Sequence, residues 1–211
     1  MPLQPLFAEV DPGWYADGAG ALDERLLARA GRSRLGRRML ARRLFESGAA
    51  HDLLAPRPGH GAPSAVMRWP RPRLLRLIRD LGVLAYAPLI RAEVGRDSVR
   101  MLKRALGSSY LLPLDRTIWN ARVEDDVLRR LQQAWSPLMA ALRGREDDAA
   151  LYALFEQQGR NELRQWAAQR DRPLGEWVAL LHPPEQPGPA HLPEKPVLLL
   201  VTHHETKREV A

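Results

Sequence analysis

Three short clusters carry side chains whose types and spacing could support chemistry. Gly31 and Gly36 are spaced as in a phosphate-binding loop, and two arginines follow them. That loop also needs a Lys-Ser/Thr pair after its second glycine and an apolar strand before its first, and this sequence has neither. We therefore interpret the glycine spacing as coincidence.

The other two clusters contain carboxylates or histidines. Residues 203–205, His-His-Glu, are metal-ligating types, but neighbours on a strand point to opposite faces and no further ligand cluster accompanies them, so we expect a solvated tail. Residues 124–126, Glu-Asp-Asp, fall in the first turn of a predicted helix, where carboxylates favour the helix dipole, so we assign them a capping and surface role. With no serine or cysteine nucleophile motif, we expect no enzyme, no metal and no cofactor.

Arginine dominates residues 21–43, with eight arginines against Asp23 and Glu24, in a chain of 211 residues whose formal net charge is +7. Guanidinium groups bind phosphates or, through bidentate contacts, the carboxylates of a protein partner, and both readings stay open. The abundance of arginine, alanine, leucine and proline also fits a GC-rich coding bias. Our partner-binding candidates here are Arg32, Arg34, Arg37, Arg38, Arg42 and Arg43.

A second basic face is predicted on a helix that starts near Asp97 or Ser98. Arg100, Lys103 and Arg104 share one side of it, opposite three aliphatic residues, and the preceding turn at Gly95 imitates a helix-turn-helix reader. The helix before the turn is short, however, and the amide side chains suited to reading adenine are missing. A solvated basic face is favoured, and these three residues join the partner-binding candidates.

Residues 73–111 form the densest apolar helical segment, around which we expect the rest to pack. The leucines and isoleucine of its first helix recur at three- and four-residue steps, so they line one side that must be buried. Pro88 predicts a corner near Tyr86 and a new short helix, because proline lacks the amide that a continuing helix needs but fits the first turn of a new one. We expect Gly95 to end that helix and Gly107 to end the third.

Further amphipathic helices are predicted along the chain, and no alternating strand series is present, so the fold class is all-α. The first covers residues 22–45, breaks near residues 31–36, and turns Leu26, Met39 and Leu40 inward. The next starts at Thr117 or Asn120 and runs through residue 143, and another covers residues 147–169 with a weak point at Gly159. A short one follows at 174–181, and residues 197–201 form a lone strand or a docking segment.

The chain length allows one sizeable core, so we expect a single compact, irregular helical domain. Residues 1–54 form an Arg-rich arm that docks its aromatic side chains, residues 55–64 a Pro/Gly linker, residues 65–182 the helical core, and residues 183–211 a Pro-rich tail. The absence of cysteine suits a reducing compartment. No apolar run reaches the roughly 20 residues of a membrane span, and the first residues lack a secretion-signal pattern. We therefore expect a cytoplasmic protein with no membrane insertion.

The segment LLRLIRDLGVLAYAPLIRAEVGRDSVRMLKRALG resembles the central part of the K-type adaptors of bacterial type III secretion, the SctK/YscK family. The likeness lies in a leucine-rich helix ending in Leu-Gly-hydrophobic-Leu, here residues 81–84. A short helix with an Ile-Arg pair follows, here residues 90–91, and then an amphipathic helix, here residues 98–106. The clear likeness covers about a fifth of the chain.

This resemblance implies a non-enzymatic cytoplasmic adaptor of the sorting platform beneath the secretion machine. Such adaptors link the cytoplasmic domain of the inner-membrane ring protein (SctD type) to the pod protein (SctQ type), and they take no small-molecule substrate. The family provides no catalytic motif. A small basic nucleic-acid-binding regulator is the alternative that the arginines leave open.

Overall fold

A computed structural model of the protein describes residues 9–16, 23–55, 65–120, 122–142 and 148–206. Within these ranges the chain forms α-helices and short 3-10 turns and no strand, which confirms the all-α class. The helices are α1 (Glu24–Arg32), α2 (Arg34–Glu46), α3 (His51–Leu54), α4 (Arg71–Ala85), α5 (Ala87–Ala92), α6 (Arg96–Leu106), α7 (Asp125–Leu142), α8 (Ala149–Arg170), α9 (Arg172–Leu180) and α10 (Glu194–Thr206).

The chain divides into two compact units. The first unit comprises Met1–Arg68 and Arg164–Pro187, and the second comprises Trp69–Leu163 and Gly188–Ala211. This division differs from the expected boundaries at residues 54, 64 and 182, because the residues from Arg164 to Pro187 group with the N-terminal part of the chain. Most of the predicted linker, residues 56–64, lies outside the described residues.

In the second unit, the predicted apolar side of α4 is buried, and its five aliphatic side chains are each at most 1% exposed: Leu74, Leu77, Ile78, Leu81 and Leu84. The predicted corner is also confirmed. α4 ends at Ala85, and α5 begins at Ala87 with Pro88 in its first turn. Proline lacks the amide that an interior helical position would use, so it fits the start of α5.

The predicted role of Gly95 is wrong. α5 ends at Ala92 with Glu93 as its cap, and Gly95 instead precedes the first residue of α6, where no side chain caps the helix. Both Glu93 and Gly95 have extended backbones, so the connection needs no left-handed residue. Gly107 follows α6 with a φ of +52°, which confirms the predicted end of that helix because glycine adopts positive φ without strain.

Gly82 and Gly159 allow α4 and α8 to cross at close range. A methyl group at Gly159 would lie 1.7 Å from the carbonyl oxygen of Ile78, and one at Gly82 would lie 1.8 Å from that of Phe155. α8 runs unbroken through Gly159, where the sequence predicted a weak point, and the missing side chain makes the crossing possible. Beside the crossing, Arg79 pairs with Glu156 at 2.5 Å.

An aromatic cluster fills the core that α7 covers. The rings of Tyr86 and Trp135 lie 5.6 Å apart, and Phe155 meets Tyr86 edge-on at 5.7 Å. Trp135 Nε1 donates to Glu93 Oε1 at 3.1 Å, so its polar atom is satisfied inside the cluster. Burial raises the pKa of Tyr86 to about 12.

α7 starts at Asp125, later than predicted, although it continues through Pro137 to Leu142. Two features hold the preceding residues out of a helix. Asp115 Oδ1 accepts hydrogen bonds from the backbone N–H and the hydroxyl of Thr117, and Arg91 donates to the carbonyl oxygens of Pro113 and Trp119. Side-chain bonds of this kind give the backbone an alternative to helix formation.

In the first unit, the N-terminal aromatic residues dock as expected. Tyr15 is buried, and Trp14 Nε1 donates to the carbonyl oxygen of His182 at 2.7 Å, just beyond α9. Glu176 on α9 accepts the backbone N–H groups of Asp52 and Leu53 at the start of α3. Phe7, which shares the prediction, lies outside the described residues.

The C-terminal segment forms α10 instead of the predicted lone strand, although the alternative of a docking segment is confirmed. Pro196 lies in its first turn, and Val197, Leu200 and Val201 are buried where α10 packs on α4. Their three- and four-residue steps suit a helix better than a strand, because a strand would turn them to opposite faces. No helix in the described ranges is long and apolar enough to cross a membrane.

Candidate protein-interaction surface

α1 and α2 form a helical pair in the first unit, separated by Ser33 alone. Asp23 caps α1 by accepting the backbone N–H of Arg25 at 2.7 Å, and Ser33 caps α2 by accepting that of Gly36 at 2.9 Å. Both are preferred N-cap residues, so the sequence itself defines the start of each helix. The predicted interruption between residues 31 and 36 is confirmed.

α2 buries only a narrow side, formed by Gly36, Leu40 and Leu44. The prediction that Leu26 and Met39 also face inward is wrong, since they are 57% and 64% exposed. Leu40 and Leu44 are four residues apart and share the side of α2 that packs within the first unit, whereas Met39 lies on another side of the helix.

The structure separates the predicted arginines into two groups. Arg37 donates to the carbonyl oxygens of Gly31 and Arg32 at the end of α1, and Arg43 donates to that of Ala16, so both serve the fold. Arg42 pairs with Glu46 one turn further along α2.

The remaining arginines of α1 and α2 do not bind to other parts of the described chain. In the part of the chain that the structure describes, no hydrogen bond or ion pair involves the exposed side chains of Arg25, Arg29, Arg32, Arg34 and Arg38. Their guanidinium groups are therefore available to a ligand or partner.

The second predicted basic face, on α6, is largely engaged within the second unit. Arg104 pairs with Asp148 at 3.1 Å, and the Lys103 ammonium lies 5.7 Å from the centre of the Tyr110 ring. Arg100 is exposed. α5 has only six residues, which is short for the first helix of a helix-turn-helix reader.

The second unit contains a buried polar cluster between α8 and the Pro-rich segment. Glu162 is 2% exposed and accepts the backbone N–H groups of His191 and Leu192 together with Gln158 Nε2. His191 Nδ1 lies 3.2 Å from the same carboxylate. Burial lowers the pKa of His191, although the Glu162 charge opposes that shift. These contacts fix a chain segment to α8, which is a structural task.

His204 was expected in a solvated tail, and that expectation is wrong. It is buried where α10 meets α4, and its Nε2 lies 2.9 Å from Asp80 Oδ2. No group of three or more candidate metal ligands occurs among the described residues. Asp125 and Asp126 lie in the first turn of α7 and are exposed, as expected for a capping and surface role.

The candidate interaction surface is the outward side of α1 and α2. Its arginines were identified from the sequence, but two exposed aliphatic residues on it, Leu35 and Met39, were not. Leu35 is 69% exposed and follows the first residue of α2. A signal was present, because Leu35 and Met39 are four residues apart and lie on a different side of the helix from Leu40 and Leu44.

The chain matches no protein-family model, no curated protein and no solved structure.

Proposed function

We propose that this chain is a non-enzymatic cytoplasmic adaptor of a bacterial type III secretion sorting platform. In this role it links the cytoplasmic domain of the SctD-type ring protein to the SctQ-type pod protein at the cytoplasmic face of the inner membrane. The resemblance of residues 74–107 to the SctK/YscK family motivates the setting, and the surface of α1 and α2 supports the role of an adaptor.

One observation carries the proposal. The outward sides of α1 and α2 combine arginines that have no partner in the described chain with large exposed aliphatic side chains. Arginine and methionine are enriched at protein–protein interfaces, where guanidinium groups bind carboxylates and apolar side chains exclude water. The buried ionisable groups Glu162 and His204 of the second unit bind parts of the same unit instead.

The proposal is tested by co-purification of the full chain with the pod protein and with the ring protein's cytoplasmic domain, each tagged separately. We expect both to be retained, because an adaptor needs two partners. The test variant replaces Arg32 and Arg34 by glutamate, which reverses two unpaired charges and leaves the core unchanged, so it should weaken retention of one partner. Retention of only one partner, or of neither, by the unaltered chain would contradict the proposal.

A nucleic-acid-binding regulator is the second candidate, and the same unpaired guanidinium groups favour it. Its signature is a DNA or RNA affinity that falls steeply with salt, by about 0.9 in log K per unit of log salt for each phosphate contacted on B-DNA. The matched measurement is retention of the full chain on heparin with and without the Arg32→Glu and Arg34→Glu changes. An adaptor without this activity elutes at low salt.

A further inference from the structure

We propose that α2 carries a second, outward-facing packing seam, and that its occupant is a helix of a partner protein with carboxylates beside aliphatic side chains. The seam consists of Leu35, Arg38, Met39 and Arg42, all of them exposed. Arg38 has no partner in the described chain, whereas Arg42 pairs with the exposed Glu46 of the same helix. The seam rests on the proposed adaptor function, since it specifies the chemistry of one of the two partners.

The spacing of the seam is that of a helix–helix contact. Its four residues follow the steps i, i+3, i+4 and i+7, which place them on one side of α2 over two turns. Gly36, Leu40 and Leu44 define the opposite, buried side. α2 therefore has two packing rows, one used within the first unit and one facing out.

The two kinds of side chain in the seam lie in parallel rows. Leu35 and Met39 are four residues apart, and so are Arg38 and Arg42, which puts the members of each pair about 5–6 Å apart at Cβ. A facing helix with leucines and glutamates at four-residue steps can match both rows. Its carboxylates then meet the Arg38 guanidinium bidentately and the Arg42 guanidinium through the N–H groups that Glu46 leaves free, while its leucines cover the exposed aliphatic side chains.

Charge and pattern weigh against the other occupants. A second copy of this chain would bring Arg38 and Arg42 of both copies together, and like charges across an interface are costly. Membrane-surface helices separate their apolar face from their basic face, whereas here Leu35 and Met39 share a side with the arginines. Phosphate contacts to nucleic acid make no use of exposed aliphatic side chains.

The test uses the full chain and two fluorescent peptides of identical composition. In the seam peptide, leucines and glutamates share one helical side at four-residue steps; in its isomer the glutamates lie on the opposite side. Fluorescence anisotropy at about 50 mM salt, where surface charges are weakly screened, should show tighter binding of the seam peptide. We expect Leu35→Ser with Met39→Ser, and separately Arg38→Gln with Arg42→Gln, to weaken it about tenfold each.

The matched control is Arg25→Gln with Arg29→Gln on α1, which removes the same charge outside the seam. It should change the affinity less than about threefold, since charges away from a contact are screened. Circular dichroism and thermal unfolding establish that each variant is folded. The proposal would be wrong if both peptides bound with equal affinity, or if the seam variants and the control variant lost the same affinity for the seam peptide.

Two further arms identify other occupants. The first is binding to vesicles that contain phosphatidylserine, and the second is binding to heparin. If either is tighter than binding to the peptide and is unaffected by Leu35→Ser with Met39→Ser, phosphate attraction explains the surface and the proposed helix contact is wrong.

The test of the seam can fail independently of the test of the adaptor function. If the peptide binds through the seam but neither secretion protein is retained, the adaptor function fails and the seam stands. If both proteins bind and no seam variant affects them, the seam fails alone.

Discussion

Replacing Gly159 by alanine should destabilise the second unit, although alanine is the better helix former. In an exposed helix interior the change from glycine to alanine stabilises by about 0.8–1.0 kcal/mol. At Gly159 the new methyl group would lie 1.7 Å from the carbonyl oxygen of Ile78, so α4 and α8 must separate by about 1.5 Å or more to restore van der Waals contact. Overpacking of this kind costs about 1–3 kcal/mol, and backbone atoms cannot rotate away, so we expect the upper end of that range.

Gly31→Ala is the matched control, because a methyl group there meets no atom within 4 Å. Urea denaturation followed by circular dichroism should show Gly31→Ala stabilised and Gly159→Ala destabilised, so the two differ in sign. Gly82→Ala should behave like Gly159→Ala. The double variant should lose less than the sum of both, since one separation of the helices relieves both clashes. A Gly159→Ala protein as stable as Gly31→Ala would refute the close crossing.

Two further outcomes follow from buried polar groups. Burial lowers the pKa of His191 below its usual 6.5, so the unfolded chain gains the proton first as pH falls. The free energy of unfolding should therefore decline below about pH 6.5, and it should decline less in the His191→Gln variant. Urea denaturation of both proteins at about pH 7.5 and 5.5 measures the two declines. An identical decline in the variant would exclude His191 as its source. Trp14→Phe removes the donor to the His182 carbonyl and should cost about 0.5–1.5 kcal/mol in thermal unfolding beyond the cost of Trp166→Phe, whose Nε1 has no partner among the described residues. Equal costs would argue against that hydrogen bond.

Local periodicity predicted the parts of the fold whose information lies within one or two helical turns. The aliphatic side of α4, the corner at Pro88 and the end of α6 at Gly107 each depend on residues a few positions apart. A helix with one strongly apolar side can be buried in only one orientation. The side of α4 was predicted for that reason, whereas the corner and the end of α6 were predicted from the backbone preferences of proline and glycine.

Features that depend on residues far apart in the chain were not predicted. Gly82 and Gly159 are 77 positions apart, and nothing local indicates that one faces the backbone opposite the other. Local propensity favours alanine over glycine in any helix, so it assigns Gly159 as a defect. The late start of α7 has a similar origin, because Arg91 on α5 binds the carbonyl oxygens that precede it.

The arginines of the candidate surface were predicted from the sequence, but its exposed aliphatic residues were not. Composition and spacing identified its arginines, but Met39 was assigned to the core because it is apolar and adjoins Leu40. Two rows of α2 are apolar enough to be buried, and the sequence does not say which one finds a partner within the chain. Packing decided in favour of Leu40 and Leu44, and it left Leu35 and Met39 outside.

A GC-rich coding bias would raise arginine throughout the chain, but it would not account for how the arginines are used. In the second unit Arg79 pairs with a carboxylate and Arg91 binds two carbonyl oxygens, so arginines that the core can use are bonded. On α1 and α2 the described structure leaves five without a partner, and the exposed Leu35 and Met39 lie among them. Coding bias gives no reason for aliphatic side chains to face solvent at the helical spacing that also positions Arg38 and Arg42. Binding of a partner gives a reason for both, because desolvated guanidinium–carboxylate contacts need apolar neighbours that exclude water.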